Sequence, residues 1–257
     1  MKTYIIRQQS DLEQFKGNYG YDVNGSLDVR CSLDIEKNLF VKDNLYINGC
    51  WYINVRGSIE AGETIKAGWY IKTGGSIKAG GYIEAVESIN AGGSIETGES
   101  IKADGSIKAG ESIKAGLYIK ASRSIKAGES IEAVETIEAG GCIKAGGFIK
   151  ADWHIETRGY IEADEFIKAG GSSGISAGLH ITCKDKLTFG LKCFAGICTW
   201  RDITDEEKTI TCGKFEGGVI EYGILKETGI VDKKVKITCE GKEIEISREN
   251  AKALNLI

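Results

Sequence analysis

Two histidines, His154 and His180, are the only side chains in this sequence whose ordinary pKa suits proton transfer near neutral pH. A general base of the acyltransferase kind would have to be one of them. His154 falls in a series of positions otherwise held by Tyr and Thr, which reads as a surface column. His180 lies where the sequence pattern changes. No catalytic motif accompanies either, so no catalytic residue is assigned and the chain reads as a non-enzyme. Cys183, Cys193, Cys198 and Cys212 are separated by 9, 4 and 13 residues. Structural zinc sites use tighter pairs. The phrase "ITC" recurs at Cys183, Cys212 and Cys239, which reads as packing at strand ends. Neither a metal nor a cofactor is expected.

Other residues suit binding. Lys72, Lys108, Lys126 and Lys144 recur at multiples of 18, interrupted by Asn90, ended by Glu162 and accompanied by Tyr70. Such a stripe could meet phosphates, but residues 23–170 hold 17 basic and 21 acidic side chains. Phosphate binding is dominated by positive fields, so direct nucleic-acid binding is not expected and the stripe reads as solvated. Tyr82 and Tyr118 share a series with His154, and Phe148, Tyr160 and Phe166 are expected to cluster near one end of the repeats. Trp200 and Arg201 stand in "ICTWRDITDEEK", a loop followed by acids. Exposed aromatics and Arg most often anchor protein interfaces. The expected partner is a protein or a nucleoprotein complex, and self-association is left open. No apolar run approaches bilayer length, so a membrane partner is not expected.

The elements that must position these residues come from a repeat. From Ile107, every sixth residue back to Val23 and forward to Ile167 is Ile or Val, 25 positions in all. No helical period is six. A unit such as Ser-Ile-Lys-Ala followed by Gly reads as a short strand with Ile and Ala inward and Ser and Lys outward, then a corner. With 35 Gly and no Pro, corners are expected to use glycine in the left-handed region, as at Gly110 and Gly116.

Three such units close a triangular coil of 18 residues. The outward series Glu60, Lys78, Glu96, Lys114, Glu132, Lys150 then alternates in sign from coil to coil, as cross-strand pairing favours. A second series, Tyr46, Thr64, Tyr82, Ser100, Tyr118, Thr136, His154, alternates large and small, and Trp51 and Trp69 are also one coil apart. The fold expected is all-β: a triangular β-helix of roughly eight coils, about 40 Å long at strand spacing. The early hexads carry Leu27, Leu33, Leu39 and Leu45 two residues before the reference position, so the first coils should be broader or irregular.

Residues 1–22 lack the repeat and are expected to cap the rod, with a turn or helix in "SDLEQF". The repeat fails at Ser173. Residues 171–257 are expected to form a small β-rich C-terminal domain ending in a short helix over "SRENAKALNL", N-capped by Ser247. "MKTYIIRQQ" lacks the apolar run of an export signal, so a cytoplasmic location with free thiols is expected.

The Ile-x-Ala hexads resemble β-helical hexapeptide-repeat proteins. Left-handed hexapeptide acyltransferases place a small or acidic residue after the aliphatic, where Lys108 and Lys114 stand here. The phrases are more similar to bactofilins, polymer-forming cytoskeletal proteins, which implies a right-handed coil. The Ile-Lys-Ala-Gly array with a Cys- and Trp-containing tail is also similar to uncharacterised repeat proteins of gut Firmicutes and their phages, which implies a counter-defence role. Three functions follow as expectations. The first is a steric, protein-binding inhibitor of a bacterial defence nuclease, comparable to anti-CRISPR proteins. The second is a self-assembling scaffold, and the third an acyltransferase.

Overall fold

Each hexad becomes one strand. Ile107–Ala109 buries Ile107 and Ala109 and leaves Lys108 in solvent, and strands from Ile59–Ala61 to Ile161–Ala163 follow the same pattern. A computed structural model describes residues 2–49 and 51–229 and the backbone of strands Lys234–Cys239 and Lys242–Ser247. Strands stack in parallel at 18-residue register, so Ile89, Ile107 and Ile125 lie one above another. The result is a β-solenoid with three faces. The first carries outward Lys78, Glu96 and Lys114, the second Glu84, Lys102 and Lys120, the third Lys72, Asn90 and Lys108. The third face holds 11 strands, which at about 4.8 Å per step gives a rod of about 48 Å. That exceeds the eight coils expected from the repeat.

Stacked Ile fills the core. Each buried Ile contributes about 1.5–3 kcal/mol of transfer free energy. Serine has its own structural task at the strand entrance. Ser58 Oγ accepts the N–H of Ser76 at 3.0 Å, and Ser76 Oγ that of Ser94 at 3.1 Å. Ser88 Oγ likewise accepts from Ser106 at 3.1 Å, and Ser106 Oγ from Ser124 at 3.4 Å. The hydroxyl thus pairs an N–H at the corner, where the regular ladder gives way. Among the described residues no buried side-chain nitrogen or oxygen lacks a partner.

The repeat glycines act differently from the expectation. Gly110 and Gly116 are not in the left-handed region. A Cβ on Gly110 would run into the carbonyl oxygen of Gly92, and one on Gly116 into that of Gly98. Close approach of successive corners, not positive φ, selects glycine here. Positive φ occurs where the path is irregular, for example at Gly49 (φ 82°) and Gly196 (φ 85°).

Between residues 20 and 195 the six-residue register also breaks twice. Leu39 pairs with Ile59, Leu45 with Ile65 and Leu33 with Ile53, each 20 residues apart. The early Leu therefore occupies the Ile position, while Ile35, Val41 and Ile47 occupy the Ala position. Tyr46 consequently sits beside Lys66 and leaves the Thr64 column, where Asn44 stands instead. The same two-residue excess recurs where Ile155 pairs with Ile175, Ile161 with Ile181 and Ile167 with Leu187. Both slips are even. A slip of one residue would turn every inward side chain to solvent, whereas a slip of two preserves the pattern.

The N-terminal strand Thr3–Ile6 pairs in parallel with Ser26–Val29. A 3₁₀ helix at Gln9–Phe15 packs against Gly20–Val23, with Leu12 buried. Past residue 170 the sequence changes character while the parallel ladder continues. Lys186–Ala195 turns a corner as one strand, pairing with both Ile167–Lys168 and Ile175–Ala177. Thr209–Cys212, Lys214–Tyr222 and Ile224–Glu227 extend the stack. The only described antiparallel ladder longer than one bridge joins Lys234–Cys239 to Lys242–Ser247. The terminal helix expected over "SRENAKALNL" lies outside the described residues beyond the strand residue Ser247.

These packing roles separate by mutation. Ile107→Ala opens a void between Ile89 and Ile125 and should lower unfolding free energy by about 2–5 kcal/mol. Ser106→Ala strands the Ser124 N–H and should cost about 1 kcal/mol. Lys108→Ala should stay within about 0.5 kcal/mol. Urea unfolding midpoints of the three variants check the order.

Candidate functional site

A rod of near-identical coils gains a distinctive feature where a coil departs from the pattern. The segment Gly174–Ile175–Ser176 carries the smallest outward residues of the second face. It lies between His154–Ile155–Glu156 on one side and Lys192–Cys193–Phe194 on the other. The low coil leaves a slot of about 310 Å³ across the face, walled by His154, Glu156, Leu191 and Phe194. Its walls stand two ladder steps apart, about 10 Å. The polar ends of two wall residues turn away. His154 Nε2 meets Glu138 Oε1 at 3.4 Å one coil back, and Lys192 Nζ meets Glu221 at 3.0 Å one coil on. Trp153, Leu191 and Val219 are 54%, 55% and 59% exposed on this end of the rod.

Trp153, Leu191 and Phe194 were not singled out by motif. The available signal was Ser173 in place of Ile, because the extra two residues bring Gly174 and Ser176 into register below His154 and Glu156. A second group, whose Trp51, Trp69 and Tyr70 the sequence pattern noted without assigning them a site, lies at the other two-residue excess. Tyr52 and Tyr70 stack at 5.0 Å, Trp69 lies 5.3 Å from Tyr70, and Trp51 precedes Tyr52. The Tyr52 hydroxyl donates to Asp34 Oδ2 at 2.9 Å, which holds this aromatic pair in place.

The expected site residues fall on separate faces. Tyr82, Tyr118 and His154 share the second-face column in register, with Ser100 and Thr136 between them. Tyr82, Ser100 and Tyr118 enclose a notch of about 260 Å³ beside Glu84 and Lys102. Phe148, Tyr160 and Phe166 do not form one cluster. Phe148 stacks on Phe166 at 4.8 Å, while Tyr160 lies on the third face and stacks on His180 at 5.0 Å. Residues 18 apart share a face, and Tyr160 differs from Phe148 by 12, which is two-thirds of a coil. Lys72, Lys108, Lys126 and Lys144 line the third face with Asn90 in register.

Trp200 and Arg201 belong to the long connection before Thr209–Cys212. Trp200 is mostly exposed, with its ring edge over Gly178. Arg201 forms a two-pronged pair with Glu207, Nη1 to Oε2 at 2.8 Å and Nη2 to Oε1 at 2.5 Å. It braces its own loop while remaining exposed. The hydrogen bond from Arg201 is the first cause holding the Glu207 carboxyl down to about 2.

Ion pairs organise the faces electrostatically. Glu132 joins Lys150 at 2.6 Å and Lys114 at 4.0 Å, and Glu84 joins Lys66 at 2.9 Å and Lys102 at 3.4 Å. The Lys120 hydrogen bond holds Glu138 below the usual carboxylate range. For Glu162 burial pushes upward, but Lys144 and His180 outweigh it and the net shift is downward. His180 Nε2 meets Glu162 at 3.1 Å. Each imidazole thus meets a carboxylate, His154 that of Glu138 and His180 that of Glu162. Cys183, Cys193 and Cys212 occupy the core, and burial pushes their thiols up to about 12, about 12 and about 11. Such thiols are protonated and inert at neutral pH. Among the described residues no helix is long and apolar enough to cross a membrane.

No protein family, curated protein or solved structure matches this chain.

The loop clamp gives a pH expectation. Glu207 titrates lower in the folded chain than in the unfolded one, so the contribution of the clamp is present above the ordinary carboxylate range. It is lost as pH falls toward about 2. Carboxylate NMR titration should show the Glu207 midpoint near that value and a rise toward the ordinary range in Arg201→Ala, left incomplete by the Thr204 N–H that still donates to the carboxylate.

Proposed function

We propose that this chain is a non-catalytic protein-binding β-solenoid that acts sterically. The observation that carries the reading is the slot on the second face, lined by half-exposed Leu191, with half-exposed Trp153 preceding its wall residue His154 in the chain. Exposed apolar patches flanked by charge are the usual anchors of protein association. The ladder holds each anchor at fixed height, so little side-chain and loop ordering remains to oppose binding. The partner presents an apolar or aromatic side chain that enters between His154 and Phe194. The Tyr82–Ser100–Tyr118 notch lies on the same face nearer the N-terminus, so a large partner spans both.

The concrete version of this role is inhibition of a bacterial defence nuclease by occlusion. It rests on the resemblance of the repeats and tail to phage-borne proteins. A blocking protein needs a rigid, well-anchored surface and no turnover, and the described surface fits that need.

Affinity capture from a bacterial lysate tests the reading. Wild type should retain a partner that Trp153→Ala/Leu191→Ala loses, with Tyr82→Ala/Tyr118→Ala weakened to a smaller extent. The purified partner, if a nuclease, should lose activity in proportion to added chain. Equal recovery by all three forms would place the interface elsewhere. Filaments at micromolar concentration by light scattering would instead favour the scaffold function.

A further inference from the structure

The third face departs from the other two in its charge order. On the first and second faces, Lys66, Lys102, Lys114, Lys120 and Lys150 each reach a carboxylate on a neighbouring coil. On the third, Lys108, Lys126 and Lys144 stand in successive register with no acid between them. Only Lys144 is paired, with Glu162 at 2.7 Å. Among the described residues Lys72, Lys108, Lys126 and Arg123 form no ion pair. Like charges directly opposite on adjacent strands are destabilising. A bound anion removes that repulsion.

The shape around this run is also distinct. The column at the strand entrance reads Tyr52, Tyr70, Ser88, Ser106, Ser124, Cys142, Tyr160, His180. Four small residues therefore lie between two aromatic pairs. Tyr70 has Tyr52 stacked on one side and Ser88 on the other, and Tyr160 has His180 on one side and Cys142 on the other. The two rings are five coils apart, about 24 Å at ~4.8 Å per step. Arg123 stands at the corner beside Ser124 between Gly105 and Gly141, which leave it room. A trough of about 490 Å³ follows Lys108, Lys126 and Lys144 over Ala109 and Ala127 and crosses the run to reach Tyr160 in the entrance column.

We propose that the third face binds a short single-stranded nucleic acid. Its phosphates follow Lys108, Lys126 and Lys144, and bases stack at Tyr70 and Tyr160. A single line of cations flanked by open aromatic faces is how unpaired strands are held without regard to sequence. A duplex would present two phosphate lines to a face that has one cation column. The net charge of −4 opposes association at long range, so binding is weak and steeply salt-dependent. The expectation of a merely solvated stripe came from summed charge. Summation could not separate a face whose lysines are neutralised by their neighbours from one whose lysines are not.

Fluorescence anisotropy with a labelled oligouridylate tests this on the full chain. With three phosphates engaged at a slope of about 0.7 each, affinity should fall about twentyfold between about 50 and 200 mM salt. Lys108→Gln/Lys126→Gln should reduce the salt slope from about 2 to below about 1. Lys78→Gln/Lys114→Gln makes the same change in net charge on the first face and should leave the slope unaltered. Tyr160→Ala should weaken binding at least about fivefold. Circular dichroism confirms that each surface variant keeps its fold. Absence of binding at low salt, or equal losses in the two lysine pairs, overturns the proposal. So does an oligoglutamate that competes more tightly than the oligonucleotide, which would make the face a receptor for an acidic protein.

Discussion

Parallel stacking of one strand on the strand 18 residues before it is the constraint on which the rest depends. It sets Ile on Ile through the core, Ser on Ser at the strand entrance and Gly against the previous carbonyl at the corner. Each contact is small, and their repetition along a common axis makes them strong together. Because neighbouring coils supply most of one another's contacts, a change in one coil is felt locally, as expected for quasi-one-dimensional proteins. A rod of this kind can vary its surface almost freely while its inward residues stay constant.

That freedom explains how three faces built from one phrase differ. On the first and second faces most lysines alternate with acids or find a carboxylate one coil away, Lys168 beside Lys150 being an exception, so these surfaces are largely compensated. On the third the lysine run is not compensated, and the entrance column is small between two aromatic pairs. The slot near the C-terminal end arises by another route. Two extra residues after Ile167 put Gly174 and Ser176 in register with His154 and Glu156, and the neighbouring coils become its walls. Protein binding at the slot and strand binding on the third face use different faces, so the two proposals stand or fall separately.

The long loop before Thr209 shows why motif and site are not equivalent. Trp200 and Arg201 have the composition of an interface anchor, yet the guanidinium is taken by Glu207 within the same loop. The buried cysteines make a parallel point. Their spacing suggested neither zinc nor disulfide strongly, and their inward ladder positions give them the role of small core residues.

Period and parity were legible in the residues alone. Ile or Val at every sixth position dictates a short strand and a corner, and 18-residue register follows from the alternating Glu60–Lys150 series because opposite charges favour adjacency. The all-β solenoid class, and the sharing of a face by Tyr82, Tyr118 and His154 or by Lys108, Lys126 and Lys144, needed nothing further. Tertiary structure alone decided the two even slips of register, the continuation of the ladder past residue 170 and the separation of Phe148 from Tyr160. It also decided which lysines reach a carboxylate. Parity survives a two-residue slip, and at the first slip Ile35, Val41, Ile47 and Ile53 even keep the six-residue step, so only Ser173 at the second marks a break, without saying how far the register moves. The slip still moves every later residue to a new neighbour, and those neighbours determine where the slot lies and which charges remain unpaired.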